Sequence, residues 1–259
     1  MISVVLATHN EAKNIARCLG SVKDFADEIV VVDGTSTDET TSIAKTFGAK
    51  VLLTKNKANF HINKQQAIDE AKGDLILQLD ADEVVDESLA RFVVEQNNKK
   101  QASLRKSDPV AWYIRRKNDF LGKFLRKGGQ YPDPVIRLFY RGTANLPQKN
   151  VHEQMEVSGN VGMAEGHLLH YPYPTLVSYL DKFNRYTSFE ASRLWKQGVR
   201  PSFDNTLAAF TLRPCQTFFR LFLRHRGYVD GWRGLLFASL SAAHHPLVAV
   251  KLWEQQEVD

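Results

Sequence analysis

Four short apolar runs alternate with stretches of helical spacing within the first eighty residues, and this alternation constrains the fold more than any other feature. The runs are Ile2–Ala7, Glu28–Val32, Lys50–Leu53 and Asp74–Leu79. Between them, Ala12, Ile15, Ala16 and Leu19 give Asn10–Ser21 a helical period, Ile43, Ala44 and Phe47 carry a second helix, and Asn63–Ala71 reads as a third, ended near Gly73. Ser36 and Glu39 predict a capping box for the second of these helices. Strands separated by helices of this length must run parallel, because a parallel pair needs a long crossover and the helix supplies it. The expected fold class is therefore α/β, a Rossmann-like, mostly parallel sheet flanked by helices.

The rest of the chain divides less regularly. Glu87–Asn98 reads as a helix, Gln101–Pro109 as a loop, and Ala111–Lys117 and Val135–Tyr140 as strands joined through the turn-rich Gly128–Pro134. Beyond His170 the pattern is helical, over Thr175–Gln197, Thr206–His225 and Gly231–Glu254. We expect a domain over residues 1–174, with halves 1–100 and 101–174, and a helical C-terminal extension over 175–259.

A chain of 259 residues buries a sizeable core. Cys18 and Cys215 form no metal or redox spacing, so a reducing cytoplasm is expected. Met1–Thr8 lacks a basic region and a long apolar one and reads as a strand, not a signal peptide. Twelve Lys or Arg residues between Lys99 and Arg141 face three aspartates, which favours an anionic partner as much as a solvated surface. No helix-turn-helix, zinc or RNP pattern accompanies them, so nucleic acid is not expected. In the last helices, Phe210, Leu212, Phe218, Phe219, Leu221, Phe222 and Leu223 interleave with Arg213, Arg220, Arg224 and Arg226. The mixture suits a helix lying in the interface of an anionic membrane, and equally a helical subdomain packed on the core or a homodimer contact. The uncharged run Gly234–Val250 is shorter than the ~20 residues a spanning helix needs.

Open α/β sheets bind ligands at the carboxyl ends of their strands. Polar residues cluster at the end of each predicted strand: Thr8, Asn10 and Glu11; Asp33, Gly34, Ser36 and Asp38; Asn59, Phe60 and Asn63 to Gln65; and Asp80 and Asp82. Asp33 is a short acceptor suited to a ribose hydroxyl or a base N–H, and Gly34 admits close approach of the backbone. Asp80 and Asp82, spaced i, i+2 around Ala81, can converge on a hard cation whose remaining positions are filled by phosphate, or can be a solvated loop that caps the next helix. Neither G-x-G-x-x-G nor G-x-x-x-x-G-K-[ST] occurs, which disfavours dinucleotide dehydrogenases and P-loop NTPases. Phosphates would be met by metal and by side chains such as Lys64, Arg137 or the Arg126-Lys127 pair.

The segments Ser3–Glu11, Glu28–Asp38 and Leu79–Glu83 resemble the three hallmark segments of family 2 glycosyltransferases with the GT-A fold. Tyr131-Pro132-Asp133, Arg137-Leu138-Phe139 and Val151-His152-Glu153 are similar to segments of the bacterial subgroup that includes lipopolysaccharide inner-core β-glucosyltransferases. His9 departs from the family, which usually has Tyr there. The resemblance implies a nucleotide-sugar donor, UDP-linked by preference, with Thr8, Glu11, Asp33 and Lys64 around the nucleoside and Asp80 near ribose and metal. It further implies Asp82 as ligand of Mg²⁺ or Mn²⁺, His170 completing the site with His152 and His167 as competitors, and Glu153 as general base. In such an inverting transfer a carboxylate removes the acceptor proton as the oxygen attacks, and Asp133 is the second candidate for that role. The implied acceptor is a lipid-linked or lipopolysaccharide-core saccharide, and the implied location the cytoplasmic face of the inner membrane. A sugar nucleotidyltransferase and a non-catalytic sugar-nucleotide or membrane-binding module are the competing readings.

Overall fold

The structure, a computed structural model, describes residues 1–57, 59–99, 105–147 and 154–258. The chain forms two compact units, Met1–Arg116 with Pro134–His170, and Lys117–Asp133 with Tyr171–Asp259.

The first unit carries strands β1 (Ile2–Thr8), β2 (Glu28–Asp33), β3 (Lys50–Leu53), β4 (Leu75–Leu79) and β5 (Glu83–Val85), and helices α1 (Ile15–Gly20), α2 (Thr40–Thr46), α3 (Phe60–Asp69) and α4 (Glu87–Asn98). Strands β6 (Ala111–Phe120), β7 (Asp133–Tyr140) and β10 (Val161–Tyr173) complete one eight-stranded sheet in the order β3-β2-β1-β4-β7-β6-β10-β5. The short strands β8 (Ala144–Asn145) and β9 (Glu156–Val157) pair separately. β3, β2, β1 and β4 run parallel, whereas β7 joins β4 antiparallel and β5 joins β10 antiparallel.

Both faces of the parallel part are covered, so its strands are apolar at nearly every position. Ile2, Val4 and Leu6 of β1 pack with Ile15, Cys18 and Leu19 of α1 on one face, while Val5 packs with Ala67 and Ile68 of α3 on the other. In β4, Leu75, Leu77 and Leu79 take the first face and Ile76 the second. The buried Gln78 interrupts that pattern. Because β2 and β4 flank β1 on opposite sides, the strand order reverses at β1, and the crevice for a ligand opens at the carboxyl ends of these three strands.

Two expectations are corrected, and one strand was not anticipated. Ser36 does not cap α2, which starts at Thr40 after Glu39 without a side-chain cap; the Ser36 hydroxyl donates to Asp33 instead. The expected helix Thr206–His225 is broken into α6 (Phe203–Phe210), α7 (Leu212–Phe219) and a π-helical turn, Arg220–Arg224. Pro214 explains the break, since it can neither donate to the Phe210 carbonyl nor fit its ring against it. The long β10 has no readable signal in the sequence because Gly162, Gly166 and Pro172 interrupt any two-residue period; Gly166 has φ of 83° and would place a Cβ 2.2 Å from the Leu89 nitrogen.

In the second unit, Phe120, Leu125 and Tyr179 form a core with Phe183, Leu236 and Phe237. The helices are α5 (Leu176–Lys196), α6, α7, α8 (Trp232–Ala242) and α9 (His244–Val258), with a 3-10 turn at Gly227–Asp230. Buried Asp230 accepts from the Arg126 and Lys127 amides at 3.1 and 2.9 Å, fixing the preceding loop. Lys251 of α9 donates to the Asn184 carbonyl and the Thr187 hydroxyl of α5, both at 2.8 Å. The helical run Trp232–Glu257, 26 residues with mean hydropathy 1.3 in its most apolar window, is long and apolar enough to cross a membrane by length and composition.

Candidate active site

The ends of β1 and β2 are knitted into one polar network. Thr8 Oγ1 and Ser36 Oγ donate to Asp33 Oδ2 at 2.8 and 2.6 Å, and the Ser36 amide donates to Oδ1 at 2.7 Å. Asp33 is fully buried, so three of the roughly four lone-pair positions of its carboxylate are satisfied internally. Asn10 takes a left-handed conformation with φ of 56°, which Asn tolerates, and its Oδ1 accepts the Thr37 amide at 2.8 Å. Thr35, with φ of 58°, is a β-branched residue in that same region, a strain that persists only where surroundings impose it. Glu11 donates its amide to Thr40 Oγ1 at 2.7 Å and accepts from Asn14 at 2.8 Å. A Cβ at Gly34 would lie 3.1 Å from the Asn56 backbone, so a larger residue would push the two loops apart by a few tenths of an ångström.

A charged cluster lies at the end of β4. α3 begins at Phe60 because the Asn59 side chain accepts the His61 amide at 3.0 Å, and one turn later Lys64 reaches Asp80 Oδ1. Arg137, from the antiparallel neighbour β7, donates to Asp80 Oδ2 at 2.6 Å and also meets Gln78 Oε1. Glu83, wholly buried, accepts the Asp80 amide at 2.9 Å and lies 3.4 Å from Arg116 and 3.6 Å from Arg137. Burial works against the charge of the Asp80 carboxylate, but Arg137 and Lys64 overcome it and hold its pKa far below the usual carboxylate range. Burial, in turn, lowers the pKa of Lys64 despite Asp80. Burial also opposes the charge of Arg137, yet Asp80, Glu83 and Asp82 together raise its pKa.

Asp82 is held differently. Its Oδ2 faces His170 Nε2 at 3.5 Å, both side chains being mostly buried. This is one carboxylate from the turn after β4 and one imidazole from within β10, a donor pair that suits Mn²⁺ or Mg²⁺ when phosphate and water supply the remaining positions. Among the described residues no group of three His, Cys, Asp or Glu side chains forms a ready-made metal cage. Asp80, the other acid of the pair, is contacted on Oδ1 by Lys64 and on Oδ2 by Arg137. His167 instead bonds Asp86, the residue that caps α4, at 3.1 Å. Beside the charged cluster a cavity of about 320 Å³ is lined by Phe60, His61, Lys64, Asp80, Arg116 and Arg137, with an apolar wall that includes Ile136.

The structure thus brings Thr8, Asn10 and Asp33 into one network, Lys64, Asp80 and Arg137 into a second, and Asp82 and His170 into a pair. The register Leu6↔Leu79 and Thr8↔Asp33 places these groups on consecutive strand ends. Asp133 belongs to the second unit, where Asn118 donates to its Oδ2 at 3.0 Å. Glu153 and His152 lie outside the described residues. Sequence reasoning missed Gln78, Arg116 and His61, and gave Glu83 no role of its own; a polar residue inside an otherwise apolar strand was the available signal for Gln78.

Residues 3–149 match the family described as glycosyl transferase family 2. The chain belongs to that family. This transferase is 29% identical to an uncharacterized glycosyltransferase of Rickettsia typhi, over 98% of its own length and 87% of the relative's. It is equally 29% identical to the lipopolysaccharide core biosynthesis glycosyltransferase LpsC of Rhizobium meliloti, over 98% of this chain and 92% of LpsC. Among solved structures, S. aureus TarS 1-349 in complex with UDP covers 100% of the transferase and 92% of that chain, at 14% identity and a TM-score of 0.48. Family membership replaces the nucleotidyltransferase and non-catalytic readings, and the fold is the GT-A fold expected from the sequence.

Proposed function

We propose that the transferase moves a hexose, glucose by preference, from a UDP-sugar to a saccharide hydroxyl of a lipopolysaccharide core or lipid-linked acceptor, with inversion at the anomeric carbon. The observation that carries this reading is the division of labour at the end of β4. Asp80 is held between Lys64 and Arg137, while its neighbour Asp82 is paired with the imidazole of His170. The acceptor class is supported by the similarity to LpsC over nearly the whole chain. Asp82 and His170 would hold a divalent ion, Mn²⁺ or Mg²⁺, which when bound offsets charge on the departing nucleoside diphosphate. Lys64 and Arg137, fixed in the wall of the cavity, orient the same phosphates and add positive charge there. The Thr8–Asp33–Ser36 network holds the loop that meets the nucleoside, with Asn10, Glu11 and the remaining acceptor site of Asp33 available to base or ribose. Glu153 takes the proton from the acceptor hydroxyl as its oxygen attacks, with Asp133 the second candidate. The reaction belongs on the cytoplasmic face of the inner membrane, where sugar nucleotides are made.

The test is a donor screen in which UDP-, GDP- and dTDP-sugars are each supplied with Mn²⁺ or Mg²⁺ and nucleoside diphosphate release is followed. Metal-dependent turnover of one UDP-hexose, lost in Asp82→Ala, is the expected result. Folded protein that neither turns over nor binds any donor by calorimetry overturns the reading.

A further inference from the structure

The second unit exposes an apolar surface that its own core does not use. Phe203, Leu207 and Phe210 are spaced i, i+4, i+7 along α6, so they share one face, and they are 76%, 52% and 52% exposed. Leu212 and Phe219 repeat the i, i+7 spacing on α7, and Leu223 continues the stripe in the π-helical turn; each is more than half exposed. Arg213, Arg220 and Arg224, each one position further along, form a second exposed stripe. At ~100° per residue the arginines flank the part of the apolar row that runs through α7 and the π-helical turn.

The charge beside the α7 part of the row has one sign, whereas α6 carries one exposed acid, Asp204, next to Phe203. From Asn205 to Val229 the sequence contains four arginines and neither aspartate nor glutamate. Arg213 meets an amide oxygen, that of Asn205 at 3.4 Å, rather than a carboxylate. The next acid along the chain, Asp230, is buried and taken up by the Arg126 and Lys127 amides. A solvated helix face of this kind would normally intersperse both signs and avoid a row of exposed Phe and Leu.

We propose that the α6–α7 face is a docking surface for an anionic lipid bilayer, the Phe and Leu side chains entering the headgroup–acyl boundary and the arginine stripe contacting lipid phosphates. A helix that lies in the interface needs an apolar row with a cationic flank, and this is the arrangement present. A second copy of the chain would bring the same arginines together, like charge on like charge, in the symmetric contact that most dimers use. The proposal is independent of which donor the transferase uses.

The test is flotation of the full-length protein with vesicles of phosphatidylcholine alone or mixed equally with phosphatidylglycerol. Binding to the mixed vesicles, absent from the neutral ones and reversed by salt, is expected. At ~1 kcal/mol per basic residue near an anionic surface, Arg213→Gln with Arg220→Gln and Arg224→Gln lowers the partition coefficient about a hundredfold. Phe219→Glu also lowers it, with circular dichroism and turnover on a soluble donor unchanged in both variants. Equal binding to neutral vesicles, or binding that survives the triple substitution, overturns the proposal. So does a dimer in sedimentation that Phe219→Glu dissociates without any vesicle binding. Retention of the protein on native membranes through high salt and alkaline carbonate also overturns it, pointing instead to insertion of Trp232–Glu257.

Discussion

Replacing Asp80 with asparagine tests whether this carboxylate is first of all the counter-ion of two buried cations. The side chains of Lys64 and Arg137 are each only 10% exposed, and Asp80 is their shared partner. The amide would keep the size and one acceptor but leave two desolvated positive charges facing a neutral group. Removing one partner of a buried ion pair costs ~3–5 kcal/mol, and the 25% exposure of Asp80 places this case at the lower end, about 3 kcal/mol. For a chain of this size each kcal/mol lowers the thermal midpoint by ~2–4 °C, so Asp80→Asn lowers Tm by about 6–12 °C. The pH dependence has a defined sign. The folded pKa of Asp80 is depressed below its ordinary 3.8, so its stabilising contribution is complete above that value and is lost as pH falls toward the depressed one. The gap in Tm between wild type and variant is therefore constant from neutral pH down to about pH 5 and closes only in stronger acid. Thermal scans by circular dichroism across that range measure both quantities. A variant within about 2 °C of wild type at pH 7 refutes the counter-ion argument.

Asp82→Ala should behave in the opposite way: turnover falls at least about a hundredfold while Tm moves by no more than a few degrees, and Mn²⁺-dependent UDP binding by calorimetry is lost. His170→Ala should weaken the same metal-dependent binding by ~10–100-fold without abolishing the fold. Because burial depresses the Lys64 pKa, that ammonium loses its proton at a lower pH than an ordinary lysine at 10.5; UDP affinity should decline on the alkaline side below that value, and Lys64→Arg should remove the decline. Glu153→Gln should retain donor binding yet lose acceptor-dependent transfer by ~10²–10⁴-fold, the range general-base catalysis supplies, whereas an unaffected rate moves the role to Asp133.

The parallel half of the fold was legible because its signal is local. An apolar run followed by a helical period specifies a βαβ unit without knowledge of distant partners, and Ile2–Thr8, Glu28–Asp33, Lys50–Leu53 and Leu75–Leu79 lie within a residue or two of the expected runs. β10 and β5 were not legible, since an antiparallel pair at the far edge of the sheet is fixed by contacts between residues some eighty positions apart. The tail is legible as helical but its break is not read from periodicity alone, although Pro214 marks it. At the site, Lys64, Asp80 and Arg137 each stand out in the sequence, yet their mutual contact was not foreseeable. It depends on β7 lying antiparallel beside β4, which brings residues 57 positions apart into hydrogen-bond reach. Ser36 misleads because a hydroxyl before a helix has two competing local partners, the helix amides and the preceding carboxylate, and here Asp33 wins.

The balance of charge in this cluster bears on why a divalent ion belongs in the reaction. Lys64, Arg116 and Arg137 face Asp80, Asp82 and Glu83, three cations against three carboxylates, with ion pairs to Asp80 and Glu83 formed within the protein itself. A nucleoside diphosphate brings further negative charge, and in a site this buried each uncompensated charge is costly. Lys64 and Arg137 cannot leave Asp80 for the phosphates without stranding it. They can share themselves, since a guanidinium offers five donors and an ammonium three, and the buried Arg137 Nε has no partner among the described residues. Sharing redistributes positive charge but creates none. A cation held between Asp82 and His170 would supply what is missing, at the acid whose neighbour is an imidazole able to act as a neutral ligand. On the proposed function the i, i+2 acids would then not be a symmetrical pair of ligands: Asp80 would position the permanent cations and Asp82 would recruit the exchangeable one.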